Sequence, residues 1–126
     1  MEAKKILIVD DDPVNLQMLR KIFNDNEYSV IQACGGYEAI EVAKYDHPDV
    51  IVLDIAMPGI DGGEVANLLK KDSSTKKIPI IFLSSLIKKG EEKSSSTREG
   101  VYLMGKPFDR NELLMKVKEF TFKPQV

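Results

Sequence analysis

Residues 6–12, Ile6-Leu7-Ile8-Val9-Asp10-Asp11-Asp12, decide how the rest of the chain is read. Four apolar residues without interruption suit a strand covered on both faces, as in a parallel sheet. Three carboxylates follow at once, so the strand ends abruptly in charge. Asp12 precedes Pro13, which reads as a helix N-cap followed by proline at the first helical position. Leu16, Leu19, Ile22 and Phe23 then recur at helical spacing. The chain therefore opens with a strand, an acidic turn and a helix.

The same rhythm continues outward. Tyr28-Ser29-Val30-Ile31 reads as a second strand, and Ala39, Ile40 and Ala43 mark one face of a second helix. Val50-Ile51-Val52-Leu53 is a third strand, apolar throughout. Asp61, with Glu64 three residues on, resembles a capping box before Val65, Leu68 and Leu69. Ile78-Pro79-Ile80-Ile81-Phe82-Leu83 is a fourth strand, with Pro79 near its start, where a missing donor is tolerated. Val101-Tyr102-Leu103-Met104 is a shorter fifth. Asp109 and Glu112 repeat the capping signal before Leu113, Leu114 and Val117. Strands alternating with helices imply βαβ units, right-handed crossovers and a mostly parallel sheet. One segment breaks the pattern. From Lys88 to Gly100 there is no Val, Ile, Leu, Met or aromatic residue. A fourth helix there has no apolar face to dock and is expected to be short, frayed or disordered.

Composition narrows the function. At 126 residues, 43% hydrophobic and 30% charged, the chain fits one domain. We read residues 1–121 as that domain and 122–126 as a short tail. A chain of this size buries roughly two thirds of its unfolded surface, so its core needs no metal or disulfide. The 18 basic and 20 acidic residues leave a net charge of -2. That balance offers no general attraction to nucleic acid or to an anionic membrane. No apolar run approaches the length of a membrane span, and no secretory signal opens the sequence. Cys34 is the only cysteine, which excludes an internal disulfide and favours a reducing, cytoplasmic setting. We expect it to be small and partly buried. With His47 the single histidine, an ordinary zinc site is excluded as well. His47 lies in Tyr45-Asp46-His47-Pro48, a turn, and is read as inert.

The strand ends carry the chemistry. The first ends in Asp10-Asp11-Asp12, the third in Asp54 and the fourth in Ser84-Ser85, while the fifth runs into Lys106-Pro107. Ligands of open parallel sheets bind beyond the carboxyl ends of the strands, where strand order reverses. If the first and third strands are neighbours there, Asp10, Asp11 and Asp54 converge. Like charges that close need a proton or a cation between them. Hard oxygen ligands favour Mg²⁺. Lys106 and Ser84 would approach from the other side. Asp54, ionised at neutral pH, could then act as the nucleophile toward a phosphoryl group, giving an aspartyl phosphate. Lys106 and the cation would neutralise charge on the oxygens in transit.

At these residues the sequence resembles the response-regulator receiver domains of two-component phosphorelay systems. The matching stretches are Ile6 to Asp12, Val52 to Gly62, Ile78 to Ser85 and Lys106-Pro107-Phe108, each at a strand end. The resemblance implies a flavodoxin-like (βα)5 fold, a doubly wound parallel five-stranded sheet in the order 2-1-3-4-5. It implies that Asp54 accepts phosphate from a sensor histidine kinase or a histidine phosphotransfer protein, with Mg²⁺. By the same resemblance, Asp11, Asp54 and the Ala56 carbonyl ligate Mg²⁺, and Asp10 acts largely through water. Ser84, Lys106 and the backbone amides of Ala56 and Ser85 hold the phosphoryl oxygens, and the Lys106-Pro107 bond is cis. The chain would be a signalling domain rather than an enzyme, catalysing only its own phosphorylation and dephosphorylation. Its output partner is not written in the sequence.

The sequence also departs from that family's usual form. Receivers commonly carry an aromatic residue three positions before the lysine, and that position is Leu103. Tyr102 beside it faces the other way along a strand. The segment from Gly100 to Lys106 is one residue shorter than usual. With the polar run before it, this supports an alternative: a receiver-like interaction module without regulated phosphorylation. The complete Asp10, Asp11, Asp54, Ser84 and Lys106 set argues for the phosphoacceptor. A phosphohydrolase of the haloacid dehalogenase type needs a second Asp two positions after the nucleophile, where Ala56 stands. Ala56 and Leu86 would flank the path of water toward phosphorus, and neither carries a side-chain donor or acceptor.

Overall fold

The computed structural model describes residues 3–84 and 100–122. Among them are five strands, β1 (Lys5–Val9), β2 (Ser29–Ala33), β3 (Val50–Asp54), β4 (Ile80–Ser84) and β5 (Val101–Gly105). Four helices accompany them: α1 (Pro13–Asn24), α2 (Gly36–Asp46), α3 (Gly62–Lys71) and α4 (Arg110–Thr121). All strand pairings are parallel, in the order β2-β1-β3-β4-β5, the flavodoxin-like arrangement. The expected fourth helix over residues 88–99 lies outside the described residues.

Period-two alternation sends neighbouring strand residues to opposite faces, and both faces are covered. Leu7, Val9, Ile51, Leu53 and Ile80 pack with Ala39, Ala43, Val65 and Leu69 of α2 and α3. Ile6, Ile8, Val50, Val52, Ile81 and Leu83 pack with Leu16, Leu19, Leu113 and Val117 of α1 and α4. This is why the central strands read as unbroken apolar runs. Burying each of the Val, Leu and Ile side chains contributes about 1.5–3 kcal/mol relative to exposure.

The three acidic caps form as the sequence indicates. The Asp12 carboxylate accepts the Val14 N–H at 2.9 Å, and Asp61 accepts that of Glu64 at 2.9 Å. Asp109 accepts from Asn111 and Glu112 at 2.7 and 3.2 Å. Each cap satisfies backbone donors that a helix start leaves without partners.

Four details differ from the sequence reading. The second strand begins at Ser29 and runs to Ala33, because Tyr28 closes the preceding turn. The Tyr28 N–H donates to the Phe23 carbonyl, and its ring meets that of Phe23 edge-on at 6.0 Å. The fourth strand begins at Ile80, after Pro79. Leu68 lies at the margin of its helix face, 37% exposed. Cys34 is exposed rather than partly buried. Its thiol donates to Glu38 at 3.3 Å, and this bond to a carboxylate raises the thiol's pKa. His47 ends α2 in the left-handed conformation, a turn position as expected. Tyr102 packs on the α1/α4 side, with the Lys116 ammonium 4.3 Å from its ring centre. Leu103 is in register with Phe82, which belongs to the opposite core.

Candidate functional site

Strand order reverses at β1, which has β2 on one side and β3 on the other. The register pairs Val9 with Leu53, so the next residues, Asp10 and Asp54, emerge side by side at the carboxyl edge. Carboxylate oxygens of Asp10, Asp11 and Asp54 lie within 4.8 Å of one another. Asp10 and Asp54 are buried, and Asp11 is exposed at the mouth.

The opposite wall comes from β4 and β5. Ser84 is buried at the end of β4, in register with Gly105. The Lys106 N–H donates to the Ser84 carbonyl at 2.8 Å, which fixes where the lysine side chain starts. Its ammonium donates to Asp54 Oδ1 at 3.3 Å and lies 3.7 Å from Asp10 Oδ2. The Lys106-Pro107 bond is cis, as the resemblance implied. Ser85 and Leu86 lie outside the described residues.

The loop after β3 is held close to the site. The Gly62 N–H donates to the Ile55 carbonyl at 2.9 Å, seating the start of α3 against this loop. A Cβ at Gly62 would lie 2.5 Å from the Asp54 carbonyl oxygen and 2.8 Å from Ile55 Cα. Only glycine permits that approach. Met57 is buried in the core beyond, and Ala56 is exposed, with its amide bonded to the Asp54 carboxylate.

Burial raises the Asp54 pKa above the ordinary carboxyl value, and the Asp10 charge raises it further. Lys106 and the Ala56 amide oppose the shift without cancelling it. Three carboxylates therefore face a single ammonium among the described residues near them. The cleft is short of positive charge, and the donors on offer are hard oxygens. That set fits Mg²⁺, which binds through one or two carboxylates and retains water.

The geometry unites Asp10, Asp11, Asp54, Ser84, Ala56 and Lys106, the described members of the expected site. One neighbour has no place in the sequence reading. Asn15 Nδ2 donates to Asp10 Oδ2 at 3.2 Å. Its only sequence signal is position: it stands three residues after the Asp12 cap, where a capping box carries Glu or Gln.

A charged cleft at the switch point of a parallel five-stranded sheet, with an acidic triad on one wall and a lysine on the other, defines a phosphoacceptor class of signalling domain. The model of the response regulator receiver domain family matches residues 6–118, and the chain belongs to that family. It is similar to the polar-differentiation response regulator DivK of Brucella ovis, with 34% identity over 90 residues, 71% of this chain and 73% of that one. The chemotaxis protein CheY4 of Vibrio cholerae superposes with a TM-score of 0.80 at 30% identity, covering 94% of this chain and 98% of that one. The receiver domain of sensor histidine kinase PA1611 of Pseudomonas aeruginosa superposes at 0.81 with 25% identity, covering 94% and 98%. That structure has a magnesium ion coordinated in its active-site cleft. Receiver domains are signalling domains of two-component systems and not classical enzymes; they work with phosphoryl donors and output partners. Among the described residues, no helix is long and apolar enough to cross a membrane.

Proposed function

We propose that Asp54 is the phosphoacceptor and receives its phosphoryl group from the phosphohistidine of a sensor kinase or a histidine phosphotransfer protein. One Asp54 carboxylate oxygen attacks phosphorus in line. The new O–P bond forms as the N–P bond breaks, and the imidazole leaves with the bonding electron pair. The observation that carries this reading is the Lys106 ammonium, 3.3 Å from Asp54 in a cleft bounded by two further carboxylates. Lys106 then neutralises charge on an equatorial phosphoryl oxygen, a large part of what a protein adds to such a transfer. Ser84 and the amides of Ala56 and Ser85 hold the other oxygens.

Asp11, Asp54 and the Ala56 carbonyl would hold Mg²⁺, with Asp10 contributing through water. The ion supplies charge neutralisation between the carboxylates and the incoming phosphoryl group. The working unit is the receiver domain over residues 1–121, followed by the tail 122–126, acting in the cytoplasm. Phosphorylation shifts binding of an output partner, and the only chemistry is the domain's own phosphorylation and dephosphorylation. Acetyl phosphate with Mg²⁺ tests this, read by intact mass. One phosphoryl group should appear on the wild type and none on Asp54→Asn. No uptake by the wild type, or equal uptake by both, refutes it.

A further inference from the structure

We propose that Asn15 is a positioning residue that keeps the Lys106 ammonium on Asp54 rather than on Asp10. The proposal rests on the phosphoacceptor reading for its consequence, but not for its geometry. Asp10 is buried, 1% exposed, so each oxygen of its carboxylate needs a partner. Oδ1 accepts the Asp12 N–H at 2.9 Å. Oδ2 accepts the Asn15 amide at 3.2 Å and faces the Lys106 ammonium at 3.7 Å. The same ammonium donates to Asp54 Oδ1 at 3.3 Å. Asn15 and Lys106 therefore share one oxygen, and Lys106 is divided between two carboxylates.

The start of α1 explains why Asn15 is available. In a capping box, the side chain at this position reaches back to the N–H of the capping residue. Here Asp10 Oδ1 already takes the Asp12 N–H, while Asp12 caps Val14. The Asn15 side chain is released to serve the buried carboxylate instead. Facing a carboxylate, the NH₂ end of the amide makes the favourable bond. Being neutral, it satisfies Oδ2 without cancelling the charge of Asp10. A lysine or arginine there would cancel it. An alanine would leave Oδ2 to Lys106 alone, and the ammonium would move off Asp54, where the transfer needs it.

Two readouts test this. The first needs no phosphorylation: the ¹³C–¹H signal of the Lys106 ε-methylene in the metal-free protein. In Asp54→Asn, Lys106 has Asp10 as its remaining charged partner of the two. The Asn15→Ala signal should move from the wild-type position toward that of Asp54→Asn. An unmoved signal overturns the proposal. The second is a double-mutant cycle on the rate of phosphorylation by acetyl phosphate at saturating Mg²⁺. Asn15→Ala should slow the wild type about threefold to tenfold, the size of one net hydrogen bond. In a Lys106→Ala background it should change the rate less than about twofold, because the group it acts through is gone. Equal losses in both backgrounds would mean that Asn15 merely supports Asp10, and would overturn the proposal. A wild type that takes up no phosphoryl group refutes the phosphoacceptor reading, and the kinetic consequence falls with it. The Lys106 signal then still decides the geometry by itself.

Discussion

Replacing Asp54 by asparagine should stabilise the metal-free protein. The substitution keeps the shape of the side chain and removes its charge from a crowded cleft. Carboxylate oxygens of Asp10 and Asp54 lie within 4.8 Å, so at an effective dielectric constant of about 20 Asp10 repels Asp54 by about 3.5 kcal/mol or more. Lys106 at 3.3 Å attracts it by about 5 kcal/mol on the same scale. Loss of that attraction exceeds relief of the repulsion by about 1.5 kcal/mol, but the cost of burying the Asp54 charge is larger than either and raises the carboxyl pKa on balance, so the neutral asparagine is favoured. Asp11 is exposed and screened, so it adds little. A net 1–2 kcal/mol corresponds to a rise in Tm of about 4–8 °C for a domain of this size. Thermal unfolding in excess chelator measures it. The pH dependence carries a sign of its own. The folded pKa of Asp54 is raised, so the folded state holds the proton to higher pH than the unfolded chain. The wild type should therefore lose stability as pH rises from the ordinary carboxyl value through the raised one. Asp54→Asn should lack that loss, and the two should converge in acid. Excess Mg²⁺ should stabilise the wild type by mass action, about 2.7 kcal/mol at a hundred times Kd, and erase the advantage of the variant. A variant that melts below the wild type in chelator at neutral pH would refute the reasoning.

Three further outcomes follow from named contacts. The Asp72 carboxylate accepts the Ser74 hydroxyl at 2.6 Å and its N–H at 2.8 Å, and these bonds hold its pKa low, with Lys44 at 3.4 Å assisting. Its contribution is present above the ordinary carboxyl pKa and lost as pH falls through the lowered one, so Asp72→Asn should lower Tm at pH 7 and match the wild type in acid. Gly62→Ala should lower stability by about 1–3 kcal/mol, because the new Cβ meets the backbone of Asp54 and Ile55, and should slow phosphorylation by displacing that loop; an unchanged melt would show that the loop gives way freely. Ala56→Asn should speed decay of the phosphorylated protein in excess Mg²⁺, because an exposed amide beside Asp54 can orient water in line with phosphorus; an unchanged decay rate would contradict it.

Much of this was legible in the sequence, for a physical reason. Strands buried on both faces cannot carry polar residues, so Ile6 to Val9 and Val50 to Leu53 stand out without reference to anything else. The carboxylates that end these strands are legible as a site because parallel topology brings strand ends together. Strand limits were less legible. Tyr28 has strong strand character, yet its ring is used against Phe23 and the ladder starts one residue later. Cys34 was misread because burial at the end of an edge strand depends on what covers it, which no local pattern records. Asn15 was missed for a similar reason. Its partner, Asp10, already satisfies the N–H that a capping residue normally leaves open, and that is visible only in three dimensions.

We propose that Asp54 alone among the clustered carboxylates accepts the phosphoryl group. Borohydride reduction of the phosphorylated protein converts a phosphorylated aspartate to homoserine, and peptide mass spectrometry then locates it. That proposal predicts homoserine at position 54 alone, with Asp10 and Asp11 intact. Homoserine at position 10 or 11, or at neither of these nor at position 54 after demonstrated uptake, would contradict it.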